Sequence, residues 1–145
     1  LTVLDTDTIT HAFLVGDLET SDVEQLNIAD LTRLCHGIAS NSGWWNEYNA
    51  GDATLRKHFV AGKIALVHSE VSEALEGFRK NLLDDHLSDR PMVEVEFADA
   101  IIRLLDLAGA LNIDVGHSLA RKLRYNAQRP DHKLENRAKA GGKSP

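Results

Sequence analysis

Apolar positions recur at helical spacing along most of the chain. Leu31, Leu34, Cys35 and Ile38 stand at i, i+3, i+4 and i+7, which lines one face of an α-helix. Ser21 or Asp22 can cap this helix, the pattern carries it to about Ser40, and Asn41-Ser42-Gly43 ends it. Residues 44–51 join two tryptophans and Tyr48 to turn-forming residues and read as an aromatic loop. Residues 54–80 have few breakers and a long stripe, Val60, Ile64, Val67, Val71, Leu75 and Phe78, which predicts one long helix loosened at Gly62. A polar connection over 81–91 closes with Arg90-Pro91. A third helix spans 93–113, and Asp114 can cap a fourth that runs to about Gln128, where Arg129-Pro130 stops it. Residues 1–20 are Thr-rich without a sustained period and read as an extended arm; residues 131–145 read as a basic mobile tail. No strand pair and no internal repeat stands out, so the fold class is all-α: a bundle of about four helices, with residues 21–130 as its domain.

The third helix is apolar round most of its circumference, from Val95 and Phe97 through Leu111. A helix of that kind is central, and one protomer of 145 residues can hardly cover it, which predicts a core completed by a second subunit. At 43% hydrophobic content the chain has apolar mass for a single core. No apolar run approaches the ~18 residues of a membrane span, and the first twenty positions carry Asp5, Asp7, Asp17 and Glu19, so neither a span nor a secretory signal is expected. A lone cysteine, Cys35, fits a reducing, cytoplasmic setting. Charge is divided: residues 1–120 hold 8 Lys/Arg against 20 Asp/Glu, and residues 121–145 hold 8 against 2. An acidic body repels nucleic-acid backbones, while acid beside base suits a metal-bound polyphosphate.

Acidic residues three apart share a helix face. Four such pairs occur, Glu19/Asp22, Glu70/Glu73, Glu73/Glu76 and Glu96/Asp99, a number close to what chance delivers at this acidic content, so placement decides. On the helical wheel Glu76 falls on the solvent side, whereas Glu70 and Glu73 share a side with Phe59, Leu66, Gly62 and Gly77, where small residues let another backbone approach. The third helix has one polar stripe, Glu96, Asp99, Arg103 and Asp106, only about 80° wide. Buried carboxylates without partners are costly, so this stripe must meet solvent, cations or a metal. A narrow exposed strip with Arg103 paired to Asp99 or Asp106 would also satisfy it. Two carboxylate pairs facing each other from two helices form an oxygen-only cage, which suits Mg²⁺ or Mn²⁺. A di-iron bundle would want Glu-x-x-His, which does not occur.

Lys122, Asn126 and Arg129 stand at i, i+4 and i+7 on the fourth helix and can form a donor strip for phosphate oxygens, although a basic helix end is also favoured by the dipole alone. Lys63, two turns before Glu70 on nearly the same side, is placed either to touch phosphate or to offset the acids. Trp44 and Trp45 are candidates to stack on a base, or to anchor their loop or a subunit contact.

Taken in order, Glu70-x-x-Glu73, a spacer of 22 residues, Glu96-x-x-Asp99, then Lys122-x-x-x-Asn126-x-x-Arg129-Pro130 and Gly141-Gly142-Lys143 resemble the all-α nucleoside triphosphate pyrophosphohydrolases of the MazG-like group. The resemblance covers roughly residues 55–145 and leaves 1–40 without a counterpart. It implies a homodimer or homotetramer with Mg²⁺ held by Glu70, Glu73, Glu96 and Asp99. It further implies cleavage between the α and β phosphates of a (deoxy)nucleoside triphosphate, giving a monophosphate and pyrophosphate. On this reading Glu73 orients the attacking water and Lys122, Asn126 and Arg129 bind the phosphates. A phosphoribosyl-ATP or dUTP pyrophosphohydrolase of the same architecture is an alternative, as is a non-enzymatic helical oligomer or partner-binding module whose acidic stripe is merely exposed.

Overall fold

The computed structural model describes residues 5–137. These are helical, with one isolated bridge between Leu83 and Pro91 and no strand among them. The chain divides into two compact units, Leu1–Ile113 and Asp114–Pro145, and the division falls at the turn after the third expected helix.

The first unit holds α1 (Thr6–Leu14), α2 (Thr20–Glu24), α3 (Ile28–Asn41), α4 (Asn46–Ala50), α5 (Ala53–Lys80) and α6 (Met92–Ala110). The expected extended arm is a helix over much of its described part. Asp5 accepts the Thr8 N–H at 2.9 Å and starts α1, which buries Ile9. The single helix expected over 21–40 is two. Glu19 and Asp22 form the start of α2, the Asp22 carboxylate accepting the Glu19 N–H at 2.9 Å, and Asn27 restarts the chain as α3 by accepting the Asp30 N–H at 3.0 Å. The expected loop at 44–51 contains the short α4.

The two long helices are where the apolar stripes put them. Asp52 caps α5 with bonds from the Thr54 and Leu55 N–H groups at 2.9 and 2.8 Å, and the helix runs unbroken through Gly62. Asn81, in the left-handed region at φ 51°, ends it, with the Leu82 N–H returning to the Gly77 carbonyl at 3.0 Å. The connection then leads into α6, which packs against α5 on one side and α3 on another, while α1 packs on α3. Glycines set the α5–α6 and α3–α6 crossings. A Cβ on Gly77 would lie 2.8 Å from Met92 Cβ, and one on Gly109 would lie 2.5 Å from His36 Cβ. Gly62, expected to admit a neighbouring backbone, has nothing within 4 Å of that position.

The second unit holds α7 (Val115–Gln128), a 3₁₀ turn (Pro130–His132) and α8 (Leu134–Arg137). Asp114 caps α7 by accepting the His117 N–H at 2.8 Å. The expected mobile tail therefore begins with helical turns, and Gly141-Gly142-Lys143 lies outside the described residues. No described helix is long and apolar enough to cross a membrane.

Candidate metal centre

The hairpin of α5 and α6 brings Glu70, Glu96 and Asp99 together, with one oxygen from each lying within 4.8 Å of the others. Their positions follow from helix geometry: Glu96 and Asp99 share a face of α6, and that face meets the side of α5 that carries Glu70. Glu70 and Glu96 are buried, and Asp99 is half-buried. Loss of hydration disfavours the ionised forms of Glu96 and Asp99. Glu96 is pushed up from 4.5 to about 7, first by burial, then by a hydrogen bond with Glu70 and the charges of Glu73, Glu70 and Asp99. Asp99 is also raised, by burial and then by the charge of Glu70, with Arg103 opposing.

Arg103 pairs across the hairpin. Its Nε lies 2.7 Å from Glu70 Oε1, so its partner is neither Asp99 nor Asp106. The Ser69 hydroxyl, which donates to the Leu66 carbonyl at 2.7 Å, lies 3.4 Å from the same oxygen.

Glu73 lies outside the compact group. It is exposed one turn beyond Glu70, though its charge still acts on Glu96. Glu76 is paired with Lys80 at i+4. Of the four acidic pairs, Glu19/Asp22 caps a helix and Glu76 belongs to a surface ion pair. The remaining acids are left to the hairpin.

Asp106, on the same stripe of α6, has a separate environment. It is buried and accepts the Trp45 indole N–H at 2.7 Å, with His36 Nδ1 at 3.0 Å and Lys63 Nζ at 3.3 Å. Lys63 therefore offsets Asp106, not Glu70. Trp45 is only 2% exposed and packs edge-on against His36 and Tyr48 and tilted against Phe59. It offers no ring face to a base, which corrects the stacking expectation for this residue: it anchors the α3–α4 junction. Trp44, 69% exposed, remains open. Sequence spacing did not single out His36, because its partner is 70 residues away.

In the second unit, Lys122 Nζ lies 4.9 Å from the Tyr125 ring centre and the Arg129 guanidinium 5.8 Å from it. Arg129 also engages Asp131 through two nitrogens, Nε at 2.9 Å from Oδ1 and Nη2 on Oδ2. Asn126 is half-buried. The carboxylate group is thus drawn from the first unit alone and the basic strip from the second alone.

Comparison with protein-family models, with curated proteins and with solved structures found no match to this chain.

Proposed function

We propose that the chain is a Mg²⁺-dependent nucleoside triphosphate pyrophosphohydrolase that cleaves the α–β phosphoanhydride bond. The observation that carries this reading is the Glu70/Glu96/Asp99 group. Three oxygen donors converge on one spot from two helices, and the Glu96 carboxyl is pushed up to about 7, first by burial and then by its acidic neighbours. Such a donor set fits a hard divalent cation, Mg²⁺ or Mn²⁺. When bound, the ion would neutralise phosphate charge and make a nearby water more acidic. Glu73, exposed beside the group, orients the water that attacks the α phosphorus. Trp44 is the tryptophan that remains able to stack on a base.

A panel of nucleoside triphosphates with Mg²⁺, scored separately for pyrophosphate and orthophosphate, tests the reading. Pyrophosphate release that disappears in Glu96→Gln and Asp99→Asn while helicity is kept supports it. Absence of both turnover and a metal-dependent rise in melting temperature in the unmodified protein overturns it.

One observation favours a second reading, a non-enzymatic helical oligomer: α5 and α6 leave large apolar side chains in the open, with Phe78 71% and Phe97 55% exposed. A homodimer or homotetramer is proposed under either reading, and pyrophosphate release separates them.

A further inference from the structure

Asp106 does more than anchor Trp45. Its Oδ1 lies 3.0 Å from His36 Nδ1, and an ionised carboxylate has only acceptors to offer. The ring therefore donates from Nδ1, which makes Nε2 the lone-pair nitrogen of the neutral imidazole. That nitrogen lies 3.3 Å from Ser40 Oγ, and the hydroxyl donates to it. A carboxylate thus orients a base, and the base faces a hydroxyl, the arrangement by which serine nucleophiles are activated. Asp106 and His36 are 70 residues apart, so the packing of α3 on α6 makes the link. The Asp106 side chain is 8% exposed and also meets the Trp45 indole N–H and Lys63 Nζ, which fix its position.

The hydroxyl end of this relay opens on a cavity. A space of about 580 Å³ is lined by Asp7, Thr10 and His11 of α1 and by His36, Ser40 and Asn41 of α3, a size suited to a small organic molecule. Gly37 lines it too, and a Cβ there would fall 1.8 Å from Thr10 Oγ1. Thr10 is 7% exposed, and among the described residues its hydroxyl has no hydrogen-bond partner. A buried hydroxyl left unpaired is costly, and a ligand in the cavity would supply the missing partner. The Thr10 hydroxyl and the Asn41 amide are the donors offered to a carbonyl oxygen that gains charge.

We propose that Ser40, His36 and Asp106 form a second site, an acyl-transfer centre that takes small carboxylic esters. Ser40 Oγ attacks the carbonyl carbon while its proton passes to His36 Nε2; the bond to the alcohol oxygen breaks, and the alcohol leaves with that proton. Water then attacks the acyl carbon, its proton going to Nε2 and on to Ser40 Oγ as the acid leaves. Asp106 is a positioning residue that acts through the ring. None of these residues belongs to the carboxylate group of the hairpin, so the site does not rest on the metal reading.

A fluorophosphonate probe on the whole chain tests the proposal: an activated serine expels fluoride and keeps a phosphonyl ester that mass spectrometry locates. The unmodified chain should take one adduct, on Ser40, at the same rate with and without EDTA. Ser40→Ala, at an exposed position, should keep its helicity and take none. His36→Gln should slow labelling about a hundredfold, the lower end of what a positioned base contributes. With p-nitrophenyl acetate as substrate, Asp106→Asn, which can still accept the Trp45 N–H, should lower kcat and leave KM nearly unchanged. An unmodified chain that takes no adduct, or takes it on another residue, overturns the inference. So does a His36→Gln chain that labels at the unmodified rate, or an Asp106→Asn chain with unmodified kcat. If His36→Gln loses helicity, Ser40→Ala and the position of the adduct decide. Failure here leaves the pyrophosphohydrolase reading standing, because Ser40, His36 and Asp106 take no part in it.

Discussion

Glu96 shows how one side chain's surroundings set the behaviour of a site. Its carboxyl is pushed up from 4.5 to about 7 in the folded chain, chiefly by burial. Between those values the folded chain holds a proton that the unfolded chain has lost, so stability must fall as pH rises through this window. The melting temperature of the metal-free protein should therefore drop between pH 5 and pH 7.5. Glu96→Gln should flatten this slope, and saturating Mg²⁺ should offset it. A metal-free melting temperature that rises across the window would contradict the burial-driven shift. Trp45 gives a second residue-level expectation. Trp45→Ala empties a buried site and removes a hydrogen bond from Asp106, which should destabilise by ~3–5 kcal/mol. Trp44→Ala, at an exposed neighbour, should leave chemical denaturation nearly unchanged. Equal effects of the two would refute the anchoring role.

Among the elements, legibility followed length. α5 and α6 were readable because 28 and 19 residues repeat an apolar period several times, and Asp114 announces the start of α7 locally. α1 and α2, of 9 and 5 residues, are too short to establish a period, so their starts depend on single side-chain bonds from Asp5 and Asp22. The candidate site divides in the same way. Glu70, Glu96 and Asp99 could be read from i, i+3 spacing within two helices. The Arg103–Glu70 pair and the Trp45–Asp106 bond could not, because the first depends on how the hairpin packs and the second joins residues 61 apart. Glycine positions allow a test at this scale. Gly62 lies inside α5 with open space around it, so Gly62→Ala should stabilise by about 0.5–1 kcal/mol through lost freedom in the unfolded chain. Gly109→Ala meets His36 Cβ at 2.5 Å and the Thr32 carbonyl at 3.2 Å and should destabilise by roughly 1–3 kcal/mol. Denaturant midpoints that move in the same direction for both would show that the helix crossing is looser than described.

At the scale of the whole molecule, the apolar excess of α6 is only partly absorbed within its own unit. Ile101 and Leu104 on α6, and Val71, Leu75 and Phe78 on α5, each remain half or more exposed. Burial of such side chains contributes about 1.5–3 kcal/mol each, which favours association of two copies through this hairpin. Sedimentation at micromolar concentration should give a dimer or tetramer. Leu75→Asp or Ile101→Asp should shift it towards monomer with helical content retained. A monomeric unmodified chain at that concentration would count against a shared core. Cys35 should play no part in assembly, since burial and the nearby charge of Asp106 push its thiol up to about 11, leaving little thiolate to react.

Two adjacent residues, Trp44 and Trp45, are the chain's complete set of tryptophans, and they occupy opposite surroundings. The protein thereby carries two optical reporters. Emission from Trp44 should be open to quenching by iodide, and emission from Trp45 should be shielded and shifted to the blue. Loss of the shielded component follows the detachment of the α3–α4 junction from Asp106, and protection of the accessible component follows whatever comes to rest against Trp44. A single quenching titration could separate unfolding from binding without any added label.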